Sequence, residues 1–89
     1  NQPCYERMIQ LKVFSAPWCG PCKSMEPALK TLLARGVQIT KIDVEADPVT
    51  AAKHGVRSVP ALKVYHDNDL LRSHTGAMTL GQLESFIKP

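Results

Sequence analysis

The sequence predicts an α/β domain built on one four-stranded mixed sheet with helices on both faces. Apolar residues alternate with polar ones in short strand-like segments and recur at helical spacing in three other segments, in the order β-α-β-α-β-β-α. Strands joined through a helix are expected to be parallel by a right-handed crossover, and strands joined by a short turn antiparallel. The sheet is therefore expected to contain both kinds of strand pair.

The first half of the chain supplies the parallel pair. Residues 8–14 alternate apolar and polar side chains and predict the first strand. A helix follows, with apolar residues at helical spacing and a C-terminal stop at Gly36. Pro27 is expected to bend this helix or to lie in its first turns. The β-branched segment 37–44 predicts the second strand.

The second half supplies a short helix, a hairpin and a closing helix. An aspartate followed directly by a proline predicts a helix over residues 47–55. Residues 61–66 and 70–75, joined by the turn Asp-Asn-Asp, predict the antiparallel hairpin. Residues 79–88 begin with a threonine cap and predict the last helix.

Length, composition and charge narrow the class of protein. A chain of 89 residues with 44% apolar and 21% charged residues fits one globular domain. The net charge of +3 is scattered along the sequence, so we expect neither nucleic-acid nor membrane binding. No signal peptide is visible, which predicts a cytoplasmic protein, and we expect a monomer. Because the chain begins with Asn, residues 1–7 are interpreted as an extension or tail before a single domain over residues 8–89.

The segment SAPWCGPCK, residues 15–23, places two cysteines two residues apart. A metal site usually needs four ligands, and only Cys4 and three dispersed histidines remain to complete it, which leaves open a site shared across a dimer. A purely structural disulfide is disfavoured because closing so short a loop removes little entropy from the unfolded chain. The pattern therefore favours a redox couple.

The position of each cysteine suggests its part in that chemistry. Cys19 lies at a helix N-terminus, which is expected to lower the pKa of its thiol from about 8.5. Pro21 restrains the loop between the sulfurs and fits the first helical turn. Cys22 follows one turn later, is expected to be more buried, and is placed to resolve a mixed disulfide.

These residues carry a resemblance to a known family. WCGPCK (18–23) resembles the active-site motif of the thioredoxins, and DPVTAAKHGVRSVPALKVY (47–65) resembles their segment that ends in an Ile/Val-Pro dipeptide. GAMTLGQLESFI (76–87) resembles their C-terminal Gly-Ala loop and helix. The resemblance covers residues 11–88 and lacks the family's N-terminal strand and helix. It implies a minimal thioredoxin-like fold of glutaredoxin-like size.

The resemblance also implies roles for individual residues. Cys19 would be the attacking thiolate and Cys22 the resolving thiol, joined in the oxidised state by a disulfide. Pro60 would be the family's cis-proline, facing the disulfide and orienting a substrate chain that pairs with the backbone of Val59. The flat apolar rim around the sulfurs would comprise Trp18, Gly20, Pro21, Val59, Gly76 and Ala77.

The sequence departs from the family pattern at Val13. Full thioredoxins carry a buried aspartate at that position, where it accepts the proton of the resolving cysteine. With Val13 there, the proton must pass to water or another group, or release must wait for a higher pH. The aspartate's usual lysine partner is kept as Lys41, which is expected to be half-exposed, paired with a neighbour such as Asp43, or simply solvated on an edge strand.

The resemblance implies a thioredoxin-type reductase of protein disulfides that needs no bound cofactor. A flavin-dependent thioredoxin reductase would restore the dithiol, and clients such as ribonucleotide reductase would be reduced. One alternative is a glutaredoxin-like enzyme recharged by glutathione, against which stand the Gly-Pro between the cysteines and the Gly-Ala pair at 76–77. Another is a thioredoxin-fold interaction subunit that does not use its thiols.

Overall fold

The computed structural model describes residues 9–88, so the predicted tail over residues 1–7 lies outside the described residues. Within this range no helix is long and apolar enough to cross a membrane. The described chain forms the strands β1 (Ile9–Ser15), β2 (Gln38–Asp43), β3 (Ala61–His66) and β4 (Asp69–Thr75), and the helices α1 (Gly20–Ser24), α2 (Glu26–Ala34), α3 (Pro48–Lys53) and α4 (Leu80–Phe86).

The strands form the mixed sheet that the sequence predicts. Their spatial order is β2-β1-β3-β4, with β1 parallel to β2 and antiparallel to β3, and β3 antiparallel to β4. The hairpin turn is shorter than predicted, because Asp69 already pairs with His66. Its two remaining residues, Asp67 and Asn68, both have positive φ (53° and 74°), as the tight turns that match strand twist require.

The helix predicted after the cysteines is divided at Met25 into α1 and α2. The N–H of Met25 bonds to the carbonyl of Cys22 at 3.2 Å, which is the tighter i to i+3 pattern. Pro27 lies in the first turn of α2. In a regular helix its ring would clash with the carbonyl of Lys23, so the helix changes pitch before the proline.

The main core lies between one sheet face and the helices α2 and α4. Ile9, Leu11 and Val13 of β1 face this side, and so do Leu62 and Val64 of β3. They pack against side chains of the two helices and the residues that border them, namely Met25, Leu29, Leu32, Leu83, Phe86 and Ile87. All are buried, so this layer carries most of the apolar area removed from water.

The opposite face is covered in part by α3, which confirms helices on both faces. Phe14 packs there against Ala51 of α3. Away from α3 this face carries polar side chains: the amide of Gln10 donates to the hydroxyl of Thr40 at 2.8 Å. The sheet is therefore apolar on one face and partly polar on the other.

Candidate active site

The cysteine pair lies where β1 ends and α1 begins. The N–H of Cys19 bonds to the carbonyl of Ala16 at 3.1 Å, which closes the turn after the strand. Cys19 is the N-cap residue of α1, and its Sγ accepts the N–H of Cys22 at 3.1 Å. A backbone donor aimed at a sulfur stabilises a thiolate there. Cys19 and Cys22 are joined by a disulfide, with their Cα atoms 5.3 Å apart.

The disulfide is enclosed by small and branched apolar side chains, with Ala16, Val44 and Val59 packed around it. Cys19 is 3% exposed and Cys22 is 6% exposed. The expectation that Cys22 is more buried than Cys19 is therefore wrong, because both sulfurs belong to one linkage held in the same apolar cluster. Burial does not distinguish the two cysteines, whereas the helix N-cap position of Cys19 does.

The chain before β3 forms the wall beside the disulfide. The peptide bond between Val59 and Pro60 is cis. The carbonyl of Pro60 accepts the N–H of Gly76 at 2.8 Å, which ties the loop after β4 to this wall. Gly76 has a φ of +114°, a conformation that favours glycine. The backbone N–H and C=O of Val59 have no hydrogen-bond partner within residues 9–88.

Trp18 projects from the surface next to Cys19. Trp18 is 66% exposed, and its indole N–H donates to the carboxylate of Glu45. A large aromatic ring left in solvent but fixed by its polar atom suits a contact surface for another molecule. Trp18 and Val59 line one shallow groove, whose other lining residues are Val44, Val56, Arg57 and Ser58.

Of the rim residues singled out in the sequence, Trp18, Gly20 and Pro21 adjoin the cysteines along the chain, and Val59 packs against them. Gly20 and Pro21 are exposed at the start of α1, directly between the cysteines. Gly76 is bonded to Pro60, as described above. Ala77 is exposed and lines a different groove, with Met78 and Gly81 beside α4.

Sequence reasoning missed two charged residues: Glu45 accepts the indole N–H of Trp18, and Arg57 lines the Trp18 groove. Glu45 could have been found from the sequence, because it follows β2 and the parallel strands β1 and β2 end at the same sheet edge as the cysteines. The N–H of Val44 indeed bonds to the carbonyl of Ser15 at 2.9 Å, which brings the two strand ends together.

Val13 and Lys41 lie side by side in the parallel register of β1 and β2. Val13 is 3% exposed, and the Lys41 side chain is 43% exposed, as expected for a half-exposed lysine. The ammonium of Lys41 pairs with Glu26 of α2 and not with Asp43. The Asp43 carboxylate is engaged elsewhere, since it accepts the N–H of Glu45 at 2.8 Å.

The structure gives no sign of a metal site in the range 9–88, where no group of three or more His, Cys, Asp or Glu side chains is arranged to hold an ion.

Two described groups have a shifted pKa, and both belong to structural contacts. Hydrogen bonds from the side chain and backbone of Thr50 lower the pKa of Asp47, the N-cap of α3. Burial raises the pKa of Tyr65 on β3.

Comparison with known proteins agrees with this geometry. A family model described as Thioredoxin matches residues 6–89. The chain is 39% identical over 66 residues to a thioredoxin of Streptomyces clavuligerus, covering 72% of this chain and 62% of that protein. It is 40% identical over 77 residues to the thioredoxin of Haemophilus influenzae, covering 83% and 72% of the two chains.

Among solved structures, a mutant thioredoxin from Halobacterium salinarum superposes with a TM-score of 0.86 at 33% identity, over 90% of this chain and 72% of that one. The chain spans somewhat less than two thirds of the length of the Streptomyces thioredoxin named above. The range matched by the family model contains the cysteine pair, the sheet and the helices described above. The chain belongs to the thioredoxin family of thiol-disulfide oxidoreductases.

Proposed function

We propose that this chain reduces protein disulfides by dithiol exchange through Cys19 and Cys22. The observation that carries the proposal is the disulfide at the N-terminus of α1, with the sulfur of Cys19 accepting a backbone N–H. In the reduced state that N–H favours a thiolate on Cys19 over one on Cys22. Cys19 is therefore assigned as the attacking group and Cys22 as the resolving group.

The reaction balances without an added cofactor. The Cys19 thiolate attacks one sulfur of the client disulfide, forms a mixed disulfide and expels the other client sulfur as a thiolate, which takes up a proton. Cys22 then loses its proton and attacks the sulfur of Cys19. The bond between Cys19 and the client breaks, the second client thiolate leaves, and the chain ends as the disulfide. Two electrons pass from the chain to the client.

The client is proposed to bind along the wall formed by Val59 and Pro60. Support comes from the unpaired backbone of Val59, whose N–H and C=O suit pairing with an extended segment. The exposed ring of Trp18 lines the same groove as Val59 and offers apolar contact there. Gly20, Pro21, Gly76 and Ala77 complete the proposed contact surface.

The proposed partners follow from the family. A thioredoxin reductase would return electrons to the Cys19–Cys22 disulfide, and ribonucleotide reductase is a representative client. The proposed setting is the cytoplasm, with the chain acting as a monomer. Support for these assignments comes from the named thioredoxins that the chain resembles.

Reduction of insulin disulfides tests the proposal. The chain is supplied with electrons either by thioredoxin reductase and NADPH or by glutathione, glutathione reductase and NADPH. Rapid reduction in the first system alone is the expected result, and reduction only in the second would favour the glutaredoxin-like alternative. A double Cys19→Ser, Cys22→Ser variant is the control. If the native chain were as inactive as this variant in both systems, the proposed function would be wrong.

A further inference from the structure

We propose that Glu26, held by Lys41, accepts the proton that Cys22 loses before it attacks the mixed disulfide. This inference rests on the proposed function and concerns only its second step. It assigns a role to an ion pair that the sequence did not reveal. The carboxylate is proposed to act through an intervening solvent molecule, which can reach it because the Glu26 side chain is 40% exposed.

The first supporting observation is where the ion pair lies. Val13 and Lys41 are direct neighbours on β1 and β2, so their side chains project from the same sheet face. This is the face covered by α2. Glu26 is the first residue of α2, and its carboxylate reaches the ammonium of Lys41. A carboxylate is therefore held by the lysine that neighbours Val13, the sheet position that lacks one.

The second observation is the spacing along the helices. Glu26 follows Cys22 by four residues, across the tight turn at Met25. Side chains four residues apart lie on the same side of a helix, one turn from each other. Although α1 and α2 are separate helices, the short connection through Met25 keeps Glu26 close to Cys22 along the chain, and Lys41 fixes its carboxylate.

The chemistry requires such a group. A thiol enclosed by apolar side chains resists ionisation, and Cys22 is 6% exposed. A carboxylate that takes the proton as the Cys22 sulfur attacks lowers the barrier, as a general base does. The sulfur of Cys22 forms its bond to Cys19, the client thiolate leaves, and the proton on Glu26 passes to solvent.

Other charged groups near Cys22 are less suited to this task. Lys23 on α1 and Arg57 before Pro60 are cations and accept no proton. Asp43 at the end of β2 accepts the N–H of Glu45 and of Ala46 through one oxygen, so it stabilises the turn after β2 and does not pair with Lys41. Glu45 in turn receives the indole N–H of Trp18. Glu26 is the carboxylate whose partner lies beside Val13.

The test is a single-turnover reaction with an aromatic disulfide that releases a coloured thiolate. One equivalent reacts with the reduced chain in two phases: attack by Cys19 releases the first thiolate, and attack by Cys22 on the mixed disulfide releases the second. All variants carry Cys4→Ser, so that only the paired cysteines react. The second phase is unimolecular and reports the proposed step directly.

Glu26→Gln is compared with Glu84→Gln as a matched control. Glu84 is also ion-paired, with Arg35, and its side chain is similarly exposed at 36%. Near neutral pH, Glu26→Gln is expected to slow the second phase by about tenfold, less than the about 10²- to 10⁴-fold typical of a general base, because the carboxylate acts through solvent. The rates should converge above the ordinary thiol pKa of about 8.5, where the thiol ionises unaided. Glu84→Gln should match the unaltered chain throughout.

Three results would overturn the inference. One is a second phase of Glu26→Gln that is as fast as, or faster than, that of Glu84→Gln at every pH. Another is a slowing of equal size at all pH values, since a purely structural effect would not vanish when the thiol ionises. The third is a loss of the first phase together with the second. Failure of the proposed function is distinguishable, because it would abolish insulin reduction by the unaltered chain.

Discussion

Replacing Val13 by aspartate would return a carboxylate to the sheet position where the thioredoxin pattern carries one. Val13 is 3% exposed and lies beside Lys41, whose ammonium is already paired with Glu26. In the chain with Glu26 the new carboxylate would compete for that ammonium. In a Glu26→Gln background Lys41 would be free to hold it, so the clearest test is Val13→Asp added to Glu26→Gln.

The cost in stability follows from the burial of Val13. Losing two buried methyl groups costs about 1.6 kcal/mol, at about 0.8 kcal/mol for each carbon. A buried carboxyl with incomplete hydrogen bonding adds about 1 to 3 kcal/mol. The total of about 3 to 5 kcal/mol is a large part of the about 5 to 15 kcal/mol that stabilises a typical domain.

This cost should depend on pH. Burial raises the pKa of the introduced carboxyl above its unfolded value of about 3.9. A group whose folded pKa is raised contributes most favourably below the unfolded pKa, and this contribution is lost as pH rises through the folded pKa. The free energy of unfolding of Val13→Asp, relative to the unaltered chain, should therefore fall from acid toward neutral pH. Urea melts at several pH values measure it.

The gain should appear in the rate of client release. Near neutral pH, Val13→Asp in the Glu26→Gln background should restore the second phase of the single-turnover reaction by about tenfold. In the chain that keeps Glu26 the gain should be smaller, because one carboxylate already acts there. If the folded double variant is no faster than Glu26→Gln at any pH between about 6 and about 9, around the thiol pKa, the requirement for a proton acceptor at this place is refuted.

Three further outcomes are expected. Cys22→Ser should accumulate mixed disulfides with client proteins on non-reducing gels and Cys19→Ser almost none, so equal trapping would reverse the assignment of attacker and resolver. Asp47→Ala should lower the free energy of unfolding at neutral pH. Because the pKa of Asp47 is lowered in the folded chain, this difference should shrink as pH falls below the ordinary carboxyl pKa of 3.8, and urea melts at neutral and at acid pH measure it. Thr79→Ala should cost about 1 kcal/mol in the same melts by removing the cap of α4, and an unchanged midpoint would contradict that role.

Local sequence signals predicted the order of strands and helices, although not the division of the first helix at Met25 or the two-residue hairpin turn. The cap at Asp47 bonds to Thr50 three residues later, and the cap at Thr79 forms a reciprocal pair with Gln82. Such contacts join near neighbours, so they act wherever the rest of the chain goes. The alternation of apolar residues in β1 likewise identified which side chains would face the core. Local spacing also identified the chemistry, since the two residues between Cys19 and Cys22 indicated a redox couple.

The contacts that shape the site were decided by the tertiary structure. Lys41 pairs with Glu26 and Trp18 with Glu45, and each pair is far apart in sequence. No local preference selects such partners: they meet because β1 and β2 end at the same sheet edge and α2 crosses the sheet face beside them. The two cysteines are equally enclosed for a related reason, since the walls around them come from separate segments. The residues for the chemistry could therefore be named from the sequence, whereas the charges placed around them depended on how the strands and helices assemble.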